Sequence, residues 1–163
     1  MLTINEIQNT FGKFEYKDLN NGLITIDPLW TSNNLVLLET SVGVTKCHKL
    51  LKPIFIKIFN QIKKEELSAF ITFSMCGGIW IPRKKFYDRK QDNSTHAWGI
   101  SCDLNVKNNP YGRISYSALS FSKDNLSTYK VIQIFEENGF SWGGRTLPLN
   151  PAHLEFTDLT KLK

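Results

Sequence analysis

The sequence has little of what a protein needs for cross-linking or for crossing a membrane. Its three cysteines, Cys47, Cys76 and Cys102, are an odd number without close pairs, which argues against a disulfide framework and suits a reducing compartment. No apolar run approaches the roughly 20 residues that span a bilayer. Residues 1–14 lack the basic segment and apolar run of a secretory signal peptide. We therefore expect synthesis in the cytoplasm and no membrane insertion.

The chain also lacks a long run of charge of one sign. Its net charge is +5 and its isoelectric point is about 9.1, but the lysines are spread along the chain. A basic surface attracts polyanions, including nucleic acid and anionic bacterial cell wall. Because there is no arginine-rich arm and no aromatic RNA-binding signature, we do not expect a nucleic-acid partner.

The sequence does contain enough apolar residues for a packed core. It has 163 residues, of which 41% are hydrophobic, and this size and composition fit one folded domain over residues 1–163. No repeat, low-complexity stretch or linker divides it. Aromatic residues make up 12% of the chain, and most of them must be core.

Three stretches have the residue spacing of helices. Residues 3–12 begin with a capping box and end in glycine. The clearest pattern is the apolar stripe over Lys46–Ile62, in which Pro53 is expected to introduce a kink. A third helix is predicted over Tyr129–Asn138, with Ser127 as its N-cap.

Short apolar stretches between these helices predict strands. They are Leu23–Ile26, Ala69–Met75, Trp98–Leu104, a weaker Arg113–Leu119, and His153–Phe156. Helices and strands alternate irregularly, so we predict an α+β fold in which a small antiparallel sheet is flanked by helices.

His96, Asp103 and His153 are candidate metal ligands. His96 and Asp103 are seven residues apart, and a turn at Gly99 that leads into a strand lets both side chains reach one point. Two imidazoles and one carboxylate are good zinc ligands, and three protein ligands are typical of catalytic zinc sites. The alternative for each histidine is a hydrogen-bonded structural role, which is the commoner role of an isolated histidine.

Two neighbouring features are interpreted as structural. Cys102 directly precedes Asp103, but we expect it to be a small buried residue on the opposite strand face rather than a fourth ligand. Cys47 and His48 are adjacent, and adjacent residues on a helix point apart. We therefore expect His48 on the surface and not in a metal pair.

Three motifs together resemble a known family. Residues 94–105 read Ser-x-His-Ala-Trp-Gly-Ile-x-x-Asp-Leu-Asn, residues 139–144 read Gly-Phe-x-Trp-Gly-Gly, and residues 153–155 read His-x-Glu. Their order and gaps resemble the zinc D-Ala-D-Ala carboxypeptidases and L-alanyl-D-glutamate endopeptidases, a family that includes VanY-like enzymes and phage endolysins. The resemblance extends from about Asp27 to Phe156. It implies the fold that this family shares with the hedgehog signalling domain.

The resemblance implies roles for individual residues. His96, Asp103 and His153 match the family's zinc ligands, so the implied cofactor is Zn²⁺. Arg83 matches an arginine near the scissile carbonyl, and its fixed charge suits an oxyanion or a substrate carboxylate. Two further positions match substrate-contacting or site-shaping residues: Ser94 and Trp142, the latter with Gly143 and Gly144.

Asn150 departs from the family pattern. The family has an acidic general base three positions before its last histidine ligand, and a neutral amide cannot accept that proton. General-base assistance is worth about 10²–10⁴-fold in rate. Three explanations compete: an engineered inactivating substitution, a natural zinc-binding pseudoenzyme, or a replacement carboxylate such as Glu155 or Asp158. We favour the first two.

Two functions follow from these residues. The first is a zinc-dependent peptidoglycan peptidase that hydrolyses a stem-peptide amide bond next to a D-amino acid, acting in the periplasm or cell wall after release or secretion. The second is a catalytically silent, zinc-holding domain that binds cell-wall peptides or an immunity partner.

Overall fold

The computed structural model describes residues 1–73, 78–85, 92–114 and 117–163. In these ranges the chain forms short strands and four α-helices. None of the helices in these ranges is long and apolar enough to cross a membrane. The helices are α1 (Ile4–Phe11), α2 (Pro28–Asn34), α3 (Lys52–Lys64) and α4 (Leu126–Glu137). The strands are β1 (Tyr16–Asp18), β2 (Ile24–Ile26), β3 (Leu35–Thr40), β4 (Gly43–His48), β5 (Ser101–Asp103), β6 (Phe140–Trp142) and β7 (His153–Phe156).

The strands form three antiparallel sheets, β1–β2, β3–β4 and β5–β7–β6. This confirms the predicted α+β class with small antiparallel sheets. Five 3₁₀ turns lie in the described ranges: Lys49–Leu51, Leu67–Phe70, Thr95–Trp98, Gly143–Arg145 and, after the last strand, Leu159–Leu162.

The predicted first helix is confirmed, with the capping box that its sequence indicates. The Thr3 hydroxyl accepts a hydrogen bond from the Glu6 backbone N–H, and the Glu6 carboxylate accepts one from the Thr3 backbone N–H. Gly12 ends the helix in a positive-φ conformation.

The predicted helix over Lys46–Ile62 is wrong at its start. Residues 43–48 form β4, which pairs with β3 from Leu35↔His48 to Thr40↔Gly43. The apolar stripe therefore belongs to two elements: its first residues are alternating positions of β4, and the later ones have the helical spacing of α3. Pro53 lies in the first turn of α3, where no backbone N–H is needed, so it does not kink the helix interior.

Tertiary contacts also change the other predicted strands. Residues 67–70 form a 3₁₀ turn, Phe73 makes one bridge to Leu104, and residues 74 and 75 of that prediction lie outside the described residues. The Trp98–Leu104 strand shortens to β5. No strand occurs in the described part of Arg113–Leu119.

Two end elements agree better with the sequence pattern. The predicted last strand, His153–Phe156, is β7. The predicted helix over Tyr129–Asn138 is α4, but it begins at Leu126 with Asn125 rather than Ser127 as its N-cap.

The three-stranded sheet has one core face and one polar face. Its register pairs Cys102 and Trp142 with Leu154, and Phe140 with Phe156, so these side chains share the core face. Phe140 packs there against Phe55 of α3 and Phe135 of α4, with ring centroids 5.2 Å apart in both pairs. The alternate residues of these strands therefore point to the opposite, polar face.

Candidate metal centre

The polar face of this sheet holds two of the predicted ligands. Asp103 of β5 lies directly opposite His153 of β7, and Ser101 lies opposite Glu155. Residues opposite each other in an antiparallel pair point to the same face. The register therefore brings Asp103 and His153 together across 50 residues of sequence.

His96 reaches the same point from the 3₁₀ turn before β5. The Ser94 hydroxyl caps this turn by accepting a hydrogen bond from the His96 backbone N–H at 3.4 Å. Gly99 ends the turn at φ +70°, and a Cβ there would lie 2.9 Å from the His48 backbone nitrogen. Glycine is thus needed at position 99 both for the left-handed conformation and for the close approach of β4.

Three donor atoms converge at this point. Asp103 Oδ1 lies 3.1 Å from His96 Nε2 and 2.8 Å from His153 Nδ1, and the two imidazole nitrogens are 3.2 Å apart. His96 is fully buried, whereas the Asp103 and His153 side chains are 15% and 16% exposed. The site is therefore closed on the His96 side and open to solvent on the other.

The other nitrogen of each histidine is held by an acceptor. His96 Nδ1 lies 2.8 Å from the Ile79 carbonyl oxygen, and His153 Nε2 lies 3.3 Å from Glu155 Oε2. A carbonyl and a carboxylate can only accept, so each outer nitrogen carries its proton. In the neutral imidazoles, the inward nitrogens then present lone pairs towards Asp103.

This arrangement fits a cation. Three lone-pair-bearing atoms, one of them anionic, face one another, and a positive charge between them is needed to make that grouping favourable. A tetrahedral zinc centre with bonds of about 2.0–2.2 Å separates its ligand atoms by about 3.3–3.6 Å. The observed separations are slightly shorter, so His96, Asp103 and His153 need only small shifts to hold a metal ion together.

Without a metal, a proton supplies the positive charge. Burial disfavours the charged form of His153, but its hydrogen bonds to Asp103 and Glu155 outweigh burial and raise its pKa to about 9. Burial likewise opposes ionisation of Asp103, yet the charges and hydrogen bonds of His96 and His153 hold the Asp103 pKa well below its usual range. The site thus stabilises a cation beside an ionised Asp103.

Arg83 lies at the edge of this cluster. Its Nη2 is 3.7 Å from Asp103 Oδ2, and its side chain is 21% exposed. The backbone around it is held from both sides, because Ile24 N–H donates to the Pro82 carbonyl at 2.9 Å and Ser94 N–H donates to the Arg83 carbonyl at 3.0 Å. The β1–β2 hairpin therefore positions Arg83 beside the candidate metal ligands.

The other two predicted substrate contacts, Ser94 and Trp142, make hydrogen bonds within the fold. Ser94 is 5% exposed, and its hydroxyl caps the His96 turn. Trp142 lies on the core face of the sheet, where its indole N–H donates to the Pro151 carbonyl at 2.7 Å. The substrate-binding roles of both residues stay predictions.

Asn150 joins the Gly143 turn to the last ligand through its backbone. Its N–H donates to the Gly143 carbonyl at 2.9 Å, and its carbonyl accepts from the His153 N–H at 3.0 Å. A Cβ on Gly143 would lie 2.5 Å from the Asn150 carbonyl oxygen, so glycine is required for this approach. The half-buried Asn150 therefore lies three residues before His153 in a defined turn.

Neither candidate replacement carboxylate takes the place of a base at Asn150. Glu155 lies on the same sheet face as His153, but it contacts Nε2, the nitrogen that points away from Asp103. Asp158 accepts hydrogen bonds from the Thr160 backbone and hydroxyl and caps the last 3₁₀ turn. Both of these carboxylates therefore have hydrogen-bond partners other than Asn150.

Cys102 and His48 are both buried. Cys102 is fully buried on the core face of the sheet, and burial raises the pKa of its thiol. This agrees with its interpretation as a structural residue. His48 is 1% exposed, so its predicted surface position is wrong. The reason is that β4, not a helix, carries it into the contact with α1.

Sequence reasoning missed two hydroxyl residues behind the ligands. Thr95 Oγ1 lies 3.2 Å from Glu155 Oε2, and Ser101 Oγ lies 2.5 Å from Thr95 Oγ1. Period-two alternation from Asp103 back to Ser101 was the one available signal, since both point to one face.

One comparison with known proteins matches the segment of the chain that contains the candidate metal ligands. A family model described as D-alanyl-D-alanine carboxypeptidase matches residues 88–156, a stretch that contains His96, Asp103 and His153. No curated protein and no solved structure matches the chain significantly. The family match and the cluster of possible metal ligands therefore coincide in one segment.

Proposed function

We propose that this chain is a zinc-dependent peptidase of bacterial peptidoglycan, which hydrolyses a stem-peptide amide bond next to a D-amino acid. The observation that carries the proposal is the convergence of His96, Asp103 and His153, whose ligand atoms all lie within 4.8 Å of one another. This cluster falls inside the segment that matches the D-alanyl-D-alanine carboxypeptidase model.

The ligand set supports catalytic rather than structural zinc. Two imidazoles and one carboxylate are three protein ligands, the number that catalytic zinc sites take from the protein. When bound, zinc supplies Lewis-acid activation of water and of a carbonyl group. The partial exposure of Asp103 and His153 leaves one side of the cluster accessible to a peptide.

Arg83 is the residue best placed to bind the negative charge of the substrate. Its guanidinium group is partly exposed beside Asp103, and it keeps its charge at any physiological pH. Such a group can donate hydrogen bonds to a carbonyl oxygen that gains charge during hydrolysis, or to a terminal carboxylate. We assign Arg83 this role in both endopeptidase and carboxypeptidase chemistry.

A second candidate function rests on Asn150. The amide cannot act as the general base, and Glu155 and Asp158 are engaged in other hydrogen bonds. A chain with this residue holds zinc and binds a cell-wall peptide, or an immunity partner, with little turnover. The two candidates share one metal centre and differ only in catalysis.

The basic composition agrees with a cell-wall target. A net charge of +5 favours association with anionic wall polymers. We place the site of action in the periplasm or cell wall, after release or secretion.

The test is digestion of purified sacculi by the chain and by Asn150→Asp, each with and without a chelator. We expect soluble stem-peptide fragments from Asn150→Asp, at a rate about 10²–10⁴-fold above that of the unmodified chain. The chelator should abolish this release, and fragment masses would identify the bond. Asn5→Asp, the same substitution at an exposed position of α1, serves as the control and should not change the rate.

The outcomes separate the two candidates. Absence of fragments from Asn150→Asp loaded with zinc would contradict the peptidase. Saturable binding of muropeptides by the unmodified chain, together with a silent Asn150→Asp, would support the binding domain. Rapid release by the unmodified chain would instead contradict the silent form.

A further inference from the structure

A buried chain of hydrogen bonds runs from the core to the outer side of His153. It begins at the Ser101 hydroxyl, which lies 2.5 Å from the Thr95 hydroxyl, and continues over 3.2 Å to Glu155 Oε2. The same carboxylate oxygen lies 3.3 Å from His153 Nε2. Ser101 is fully buried, Thr95 is 7% exposed, and the Glu155 side chain is 12% exposed.

The direction of every bond in this chain is determined. An ionised carboxylate can only accept, so both Thr95 and His153 donate to Glu155. Thr95 has then used its single hydroxyl proton, and its oxygen accepts from Ser101. In the neutral, metal-binding form of His153, the ring proton is therefore on Nε2 and the Nδ1 lone pair is directed to His96 and Asp103.

We propose that Glu155, supported by Thr95 and Ser101, is a positioning residue that selects the metal-binding tautomer and ring orientation of His153. The proposal rests on the metal-binding part of the proposed function and does not depend on hydrolysis. His96 is oriented differently, by the neutral Ile79 carbonyl. Of the two histidine ligands, His153 is therefore the one whose geometry depends on a removable side chain.

The position of Glu155 is inconsistent with direct contact with the reacting groups. Its carboxylate lies on the Nε2 side of the imidazole, while the ligand atoms meet on the Nδ1 side. A carboxylate behind a ligating histidine fixes the ring and increases the basicity of the inward nitrogen, and its loss costs about 10–100-fold in metal affinity.

The first experiment measures zinc affinity by competition with a chromophoric chelator. We expect Glu155→Gln to weaken zinc binding about 10–100-fold. Glu39→Gln, the same substitution at an exposed position of β3, should leave the affinity unchanged. Circular dichroism of each variant checks that the fold is retained.

A second pair of variants tests the distal part of the chain without changing any charge. Thr95→Val keeps the side-chain shape but removes the hydroxyl, and Thr95→Ser keeps the hydroxyl. We expect weaker zinc binding, by about 3–10-fold, for Thr95→Val and near-complete retention for Thr95→Ser, since a supporting partner matters less than the contacting carboxylate.

The spectroscopic measurement is a proton–nitrogen correlation NMR spectrum of the histidine side chains. In the zinc-loaded chain, we expect a slowly exchanging His153 Nε2–H signal and a metal-bound Nδ1. In Glu155→Gln the Nε2–H signal should shift and exchange faster. A merely structural role for Glu155 would not move this signal.

Equal zinc affinity in Glu155→Gln and the unmodified chain, with an unchanged Nε2–H signal, would overturn the proposal. Zinc bound to His153 through Nε2 instead of Nδ1 would overturn it as well. If zinc affinity falls as expected but no variant cleaves sacculi, the positioning role stands and the peptidase function fails. If the unmodified chain binds no zinc at all, both fail together.

Discussion

Two histidines in this molecule, the buried His48 and the partly exposed His153, have opposite electrostatic surroundings. His48 donates from Nε2 to the Phe11 carbonyl at 3.1 Å and accepts from the Leu50 N–H at 3.3 Å, so its polar partners are backbone groups. Burial lowers the pKa of His48 to about 4. For His153, burial acts in the same direction, but hydrogen bonds to Asp103 and Glu155 raise the pKa to about 9.

The role of each histidine is decided by its hydrogen-bond partners rather than by its burial or its residue type. Backbone groups satisfy His48 as a neutral ring and make it a structural link between α1 and β4. Carboxylates on both sides of His153 stabilise positive charge, which is what a metal site also requires. Variants that change the surroundings of one histidine at a time can test this difference.

The largest effect is expected at Asp103. Asp103→Asn removes the carboxylate that lies between the two imidazoles, so we expect the chain to lose zinc completely on desalting, as measured by metal content per chain. Asp18→Asn and His48→Gln should both keep one zinc ion. Retention of zinc by Asp103→Asn would mean that the ion is held elsewhere.

A pH effect of about 3 kcal/mol is expected at His48. The unfolded chain protonates this histidine near pH 6.5, while the folded chain resists protonation until about pH 4. The unfolded state therefore binds more protons in this window, and stability falls as the pH drops from 6.5 to 4. Urea unfolding of the metal-free chain should show this loss, and it should be smaller by about 3 kcal/mol in His48→Gln. Identical pH slopes in the two proteins would contradict the depressed pKa.

Gly143→Ala should cost about 1–3 kcal/mol of unfolding free energy, because its Cβ would lie 2.5 Å from the Asn150 carbonyl oxygen. Moving that carbonyl also disturbs the hydrogen bond from the His153 N–H. We therefore expect lower zinc affinity along with lower stability, measured by chelator competition and thermal unfolding. A change in stability without a change in zinc affinity would show that the turn and the ligand are independent.

The smallest effect is expected at the helix that supports His48. Thr3→Ala removes the N-cap of α1 and should cost about 1 kcal/mol in chemical denaturation. Thr3→Ser keeps the cap and should be close to neutral. Zinc affinity should not change in either variant, since α1 contacts the His48 side of the molecule; a large change would show that the two regions are coupled.

Elements with a complete local signal were predictable from the sequence. The capping box and terminal glycine of α1 act within a few residues, and β7 has alternating polar and apolar positions between turns. The start of α3 was not predictable, because the β3–β4 pairing replaces the helical pattern over residues 46–48 and a 3₁₀ turn replaces it over residues 49–51. Pairing with a strand that begins at Leu35 is information that a local window does not contain.

The features of the candidate site also separate into those that the sequence predicted and those that only the tertiary structure shows. Residue types and motif order were enough to select His96, Asp103 and His153, and to single out Asn150 as the departure. Only the tertiary structure could show that Glu155 lies behind His153, that Trp142 faces the core, and that His48 is buried. A sequence determines which side chains are available and what chemistry each can perform. Their partners come from strand register and from contacts 37 to 60 residues apart, and these decide which histidine carries charge and which stays neutral.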